Sequence, residues 1–268
     1  KPDGSYVIDG QEIVLLNNSR ELLEKSTTDD GRERTAALFG NPNFSLNSKP
    51  SSERSVRLEP LPFTKIEVEK IDTMLNANGW AASVFVGDRA TNKNLSGLQS
   101  PKLLHIATHG VFEQNIDNKK RTLFGGLMTA GHENPLLRSY LLFSGAESSL
   151  AEGKKGDGVL TAFDAMNLSL ENTDLVVLSA CQTGLGDIRN GEGVFGLQRA
   201  FRVAGAKAVI MSLWTVNDES TQELMNEFYA QWLAGSSLRE AFRSAQLKIK
   251  EKYPDPYFWG PFVIAGGN

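Results

Sequence analysis

The sequence predicts an α/β sandwich, with helices on both faces of a mainly parallel central sheet. Three observations carry that expectation. Strand-like and helix-like runs alternate through most of the chain, the order that builds parallel sheets through crossover helices. The runs 102–108, 174–180 and 208–213 are apolar on both faces, as strands covered on two sides must be. The 268 residues are 40% hydrophobic and 22% charged, enough chain to bury a core without disulfides or metal staples.

The elements follow in order. Residues 5–16 hold two apolar runs around Asp9-Gly10, which predicts a hairpin. A short helix is expected near 18–25. Thr35 opens a compact strand that ends at Gly40-Asn41-Pro42, and the Pro-, Ser- and Asn-rich stretch 41–62 reads as a loop. Thr64 with Glu67 three residues on reads as a capping box opening a helix that Asn78-Gly79 stops. A strand over 80–86 and a helix near 91–98 precede the buried run at 102–108. Residues 110–136 read as a long loop, 137–143 as a strand and 145–158 as an exposed segment. One or both of those polar segments are expected to border the cleft and to be less ordered than the sheet. Thr161 is expected to cap a helix reaching about Asn167. After the buried run at 174–180 comes a glycine-rich loop over 184–193, a helix near 194–204 and the strand at 208–213. Two long helices, near 218–234 and 237–251, and a last strand at 262–264 close the chain.

Composition excludes several classes of function. The net charge of −4 gives no basic footprint for nucleic acid. The longest nearly apolar stretch, 203–214, is too short for a bilayer and contains Lys207. The one cysteine, Cys181, permits no internal disulfide and no cysteine-based zinc site, and nothing points to an oxidising compartment, so a cytoplasmic location is expected. The opening Lys1-Pro2-Asp3-Gly4, without Met or an apolar signal region, reads as a fragment of a longer protein.

Ligands of open parallel sheets sit beyond the carboxyl ends of the strands. Two of the buried runs end in reactive residues, one in His109-Gly110 and the other in Cys181. Side by side, these strands would bring a thiol and an imidazole to one rim, where the imidazole could stabilise a thiolate or take its proton. Backbone N–H groups at Gly110 and Cys181 could then hold an oxyanion. A cysteine after an apolar strand also reads as a small buried hydrophobe. The H-x-x-x-H pair His105/His109 could chelate zinc on a helix. In a strand, however, positions four apart lie roughly 13 Å from each other, and the Glu of a zincin motif is absent. His105 therefore reads as a core residue, and no metal is expected. Gly191-Glu192-Gly193-Val194-Phe195-Gly196 fits G-x-G-x-x-G but begins about ten residues after its strand ends, too far for a dinucleotide turn.

The words around these residues resemble a known family. Leu104-His105-Ile106-Ala107-Thr108-His109-Gly110 is similar to the histidine motif of CHAT domains, caspase-like peptidases often attached to tetratricopeptide (TPR) repeats. Val176-Val177-Leu178-Ser179-Ala180-Cys181-Gln182-Thr183-Gly184 is similar to their cysteine motif. Further similarity runs through residues 191–201, Ala204-Gly205-Ala206, Met211-Ser212-Leu213-Trp214 and Pro135-Leu136-Leu137-Arg138-Ser139. The resemblance covers roughly 35–267, with 1–34 as an N-terminal hairpin and lead-in and 35–268 as the peptidase domain. It implies a caspase-haemoglobinase fold, a His109–Cys181 dyad and no cofactor. The implied activity is a cysteine endopeptidase acting on protein or peptide substrates, regulated by an upstream TPR, sensor or partner module, with no nucleic-acid or membrane partner. The other reading is a silent caspase-like scaffold or interaction module, since fold does not imply activity. Retention of both dyad residues with their neighbouring glycines favours the enzyme.

The segment from Leu213 to Glu219 resembles the separase segment where acidic residues receive a basic substrate side chain. Asp218 or Glu219, with Asp187 from the glycine-rich loop, would then line the primary pocket and favour Arg or Lys. The competing role for Asn217 or Asp218 is to cap the helix that follows.

Overall fold

The structure, a computed structural model, describes residues 5–13, 15, 31–48, 56–113, 135–153, 156–180, 187–189 and 193–267. In chain order, α1 (Val7–Gly10) precedes β1 (Thr35–Pro42), α2 (Pro62–Ala77), β2 (Ala81–Gly87), α3 (Asn92–Ser96) and β3 (Leu103–Ala107). A small second sheet follows: β4 (Gly110–Phe112), β5 (Ser139–Leu142) and β6 (Val159–Thr161), with α4 (Ala146–Glu152) between the last two. Then come α5 (Ala162–Ala165), β7 (Leu175–Ser179), the two-strand ribbon of β8 (Asp187–Arg189) and β9 (Gly193–Phe195), α6 (Leu197–Val203) and β10 (Ala208–Ser212). The chain closes with α7 (Asp218–Leu233), α8 (Leu238–Lys252), α9 (Pro256–Trp259) and β11 (Phe262–Gly266).

The central sheet has six strands in the order β11-β10-β7-β3-β1-β2. All neighbours pair in parallel except β10 and β11. At its centre β3 lies beside β7, with Leu103 opposite Leu175 and Ala107 opposite Ser179, and every residue of both strands is buried. Strand alternation divides these side chains between two apolar layers. Leu103, Ala107, Leu175 and Val177 pack against α2, α7 and α8, while Leu104, Ile106, Val176 and Leu178 pack against α5 and α6. A third, smaller cluster joins Phe44 and Leu61 to Tyr140, Leu142, Ala146, Leu150 and Val159, binding the second sheet and α4 to the β1–α2 connection. The predicted three-layer sandwich is thus the observed one. Among the described residues no helix is long and apolar enough to cross a membrane.

Several local expectations are corrected. The hairpin expected over 5–16 is not formed by the described residues, of which 7–10 make a helical turn. The Asp9 carboxylate accepts from the Tyr6 N–H at 2.8 Å, and Arg243 donates to the carbonyls of Ile8 and Asp9. The apolar residues of this segment serve α8 and β11 rather than each other: Ile8 is buried in the helical layer and Leu15 bridges Ala265. Thr64 does not cap α2, because Pro62 at its first turn, where proline's fixed φ suits the helix, starts it earlier. The Thr64 hydroxyl donates to the Leu61 carbonyl and accepts from Asn41 N, which leaves Glu67 for another role. Within the predicted loop at 110–136, residues 110–112 form β4 and 135–137 a 3₁₀ turn. The segment at 145–158 contains α4, whose Ala146 and Leu150 are buried. The glycine-rich loop carries β8 and β9. Strand β6 and helix α9 were too short to leave a periodic signal. The helix expected near 18–25 lies outside the described residues.

Glycine is required where the turn after α6 meets the chain entering β7. Gly205 has φ +116°, and a Cβ there would fall 2.6 Å from the Glu171 Cα. Gly205→Ala is expected to lower unfolding stability by on the order of 2–4 kcal/mol, read as a fall in urea midpoint at unchanged slope.

Candidate active site

The rim at the carboxyl ends of β3 and β7 collects the groups of interest. Past the last paired residues, the Thr108 N–H donates to the Ser179 carbonyl at 3.3 Å, and Ser212 on β10 donates to the Ala180 carbonyl. Cys181, the next residue, lies outside the described residues, as does the side chain of Asp187, although the backbone of Asp187 opens β8. On the histidine side the described residues run on through His109 to Glu113. His109 follows β3 by two residues, as Cys181 follows β7 by two.

Two contacts fix the His109 ring, and both come from the connection between β1 and α2. Its Nε2 lies 2.7 Å from the Glu59 carbonyl oxygen, and Phe44 stacks on it at 5.1 Å between ring centres. A carbonyl can only accept, so Nε2 carries the proton and donates it, leaving Nδ1 with the free lone pair. That tautomer suits a general base working through Nδ1. The orienting segment is itself anchored, because the Leu58 N–H donates to the Glu147 carboxylate at 2.9 Å and Leu58 packs on the third apolar cluster. Sequence reasoning missed both Phe44 and Glu59. They lie in a stretch whose composition reports only a loop, and a backbone carbonyl has no residue signature. Gly110, proposed as an oxyanion donor, begins β4 opposite Leu141.

The acidic residues divide. Asn217 caps α7, its side chain accepting from Ser220 N at 3.0 Å. Asp218 is therefore free of the capping role and is half-buried, whereas Glu219 is exposed. Burial pushes the Asp218 carboxyl above its ordinary 3.8; His109 pulls it back, and Glu67 pushes it further up. The Asp218 carboxylate thus lies within electrostatic reach of the imidazole. The zinc spacing His105/His109 is not a site: His105 is fully buried, with Nδ1 3.0 Å from the Tyr229 hydroxyl and Nε2 2.9 Å from Glu67 Oε1.

A carboxyl whose pKa is raised by folding binds its proton more tightly in the native state, so its contribution to stability declines as pH rises above the unfolded value. Asp218→Asn removes that penalty. Its melting temperature is expected to exceed the parent's by about 1–3 °C at pH 7 and to match it below pH 3.8, followed by calorimetry across pH.

The architecture has counterparts among known proteins. The chain is 27% identical over 245 residues to tetratricopeptide repeat protein 28 of Mus musculus, covering 87% of this chain and 10% of that one. The Homo sapiens protein of the same name is 25% identical over 280 residues, covering 99% and 11%. The chain thus spans about a tenth of the length of the curated relatives it matches. Among solved structures, the Arg-specific cysteine proteinase gingipain R superposes with a TM-score of 0.54 at 12% identity, over 91% of this chain and 48% of that one. At that identity the likeness concerns the fold, which is the caspase-haemoglobinase type. The model of the CHAT domain matches residues 1–267, with the His109 and Cys181 motifs inside the match, and the chain belongs to the CHAT domain family.

Proposed function

We propose that the domain is a cysteine endopeptidase in which Cys181 is the nucleophile and His109 the general base and acid. The observation that carries this reading is the held tautomer of His109. Its Nε2–H is spent on the Glu59 carbonyl at 2.7 Å, so Nδ1 is the ring nitrogen left to act as base. In the reaction, Nδ1 takes the Cys181 proton, and the sulfur forms a bond to the scissile carbonyl carbon. The tetrahedral oxyanion is received by backbone N–H groups, for which Gly110 and Cys181 are the proposed donors. Nδ1 returns the proton to the leaving amine as the C–N bond breaks. Water then hydrolyses the thioester, with its proton passing through the same nitrogen.

Asp218 is the better of the proposed pocket carboxylates, because Asn217 has relieved it of capping and it is half-buried on the His109 side. Its role is to receive a basic side chain before the scissile bond by a charge-assisted hydrogen bond. Asp187 joins it in the same proposal, and exposed Glu219 is the weaker partner. The protein substrate is presented, and the domain regulated, by a TPR or sensor portion of a longer chain, a reading supported by the much longer TPR relatives.

Cys181→Ala and His109→Ala should each abolish cleavage while keeping the melting temperature within a few degrees of the parent, with a peptide-based thiol electrophile labelling only chains that retain both residues. Full cleavage by Cys181→Ala would end the proposal. In a peptide library varied at the residue before the scissile bond, Arg and Lys should be cleaved at least about tenfold faster than Leu, and Asp218→Asn should erase the difference. Equal cleavage after Leu in the parent would remove the acidic pocket and leave the dyad standing.

A further inference from the structure

Behind the rim lies a buried polar cluster for which the proposed reaction has no use. Glu67 of α2, His105 of β3 and Tyr229 of α7 are 1%, 0% and 0% exposed. Tyr229 is held protonated, first by its burial and then by the nearby Glu67 charge. A phenol can donate or accept whereas a carboxylate only accepts, so the arrangement that serves both edges of the ring has the Tyr229 hydroxyl donating to His105 Nδ1 at 3.0 Å. The His105 proton then sits on Nε2, turned toward Glu67 Oε1 at 2.9 Å, a contact made without the alignment of a hydrogen bond. Burying a carboxylate, an imidazole and a phenol together is costly unless they satisfy one another. An apolar trio would suit the same layer, to whose buried cluster Val68, Leu103 and Met225 belong.

The three elements that meet in this cluster are the three that deliver the described parts of the site. Strand β3 leads from His105 to His109. Helix α2 leads back from Glu67 through Pro62 and Pro60 to the Glu59 carbonyl that holds the His109 ring. Helix α7 leads back from Tyr229 along one stripe, Met225, Gln222 and Asp218, at the spacing that keeps residues on one helix face. Met225 is fully buried, Gln222 is 7% exposed and its Nε2 has no hydrogen-bond partner among the described residues, and Asp218 emerges half-buried at the rim. Apolar contacts alone leave two helices free to slide along a sheet by fractions of an ångström. A polar contact fixes register, because sliding strands a buried charge or hydroxyl.

We infer that Glu67, His105 and Tyr229 are positioning residues, which lock α2 and α7 against β3 so that the Glu59 carbonyl and Asp218 meet His109 at the rim. The inference rests on His109 as the base of the proposed reaction. It also accounts for His105 in the histidine motif: the first histidine sets the geometry of the second.

The test uses the ring nitrogens of His109, followed by ¹⁵N NMR in a chain with three histidines, together with alkylation of Cys181 by iodoacetamide at pH 7. The parent should show one His109 tautomer, with the proton on Nε2. Tyr229→Phe, which keeps the ring and loses only the hydroxyl, and Glu67→Gln should both give mixed tautomers and slow alkylation about tenfold or more, toward the rate of His109→Ala. Ile249→Ala, in the same apolar layer on α8, should lower the melting temperature without changing either readout. Should Glu67→Gln fail to fold, Tyr229→Phe carries the test. A single Nε2–H tautomer in folded Tyr229→Phe, with alkylation within twofold of the parent, would overturn the inference. If His109→Ala alkylates like the parent, the dyad fails instead, and the tautomer readout still decides whether the cluster positions the ring.

Discussion

Everything at the rim depends on the pairing of β3 with β7, two strands with no exposed residue. Such strands can offer side chains to a ligand only where they end. Being parallel and in register, with Ala107 opposite Ser179, they end together. The same parallel geometry dictates where helices begin. Each crossover leaves a strand at its carboxyl end, so the start of α2, following β1, and the start of α7, following β10, fall at that rim as well. One hydrogen-bonding pattern thus brings together a histidine, the chain position before a cysteine, a carbonyl ahead of one helix and a carboxylate in the first turn of another.

His109 is held from two sides by parts with different anchors. The Glu59 carbonyl and the Phe44 ring belong to the connection that packs on the small sheet and α4, a unit tied in by the Glu147–Leu58 contact and the Gly145–Asn43 backbone bond. Asp218 belongs to the helical layer. The ring therefore stands at the junction of two packing units whose buried apolar residues fall in separate clusters. A displacement of either unit would disturb the ring: the small sheet acts directly on the Glu59 carbonyl and the Phe44 ring, and α7 acts through Asp218 and through the Tyr229–His105–Glu67 cluster, which reaches α2.

The legible part of the fold was the part made of long or doubly buried elements. The apolar runs that became β3, β7 and β10 announced themselves because burial on both faces leaves no room for polar residues, and α7 and α8 because their lengths exceed any strand. What the sequence hid was set by contacts distant along the chain. Residues 5–10 carried a hairpin's turn dipeptide, yet Arg243 and Lys250, more than two hundred residues away, capture their carbonyls and the Asp9 carboxylate. Thr64 and Glu67 had the spacing of a capping box, and local pattern could not tell that Pro62 starts the helix first. Of the site, His109 and Asp218 were legible as side chains at strand and helix ends. The Glu59 carbonyl was not, because any residue supplies the same atom.

Parity explains why one motif contains two histidines with opposite fates. Alternate residues of a strand face alternate layers, so His105 shares its face with Leu103 and Ala107, the face covered by α2 and α7. Two residues nearer the start of β3, Leu103 is fully buried in the apolar cluster of that layer. At 105 the helices bring Glu67 and Tyr229, and a residue with a donor on one edge and an acceptor on the other is the one that fits between a carboxylate and a phenol. His109 has the same parity but lies past the last strand residue, where α2 and α7 are only beginning and their backbone groups and first-turn residues replace their apolar faces. Four residues along one strand therefore separate an imidazole that sets geometry in the core from one left with a free lone pair at the rim.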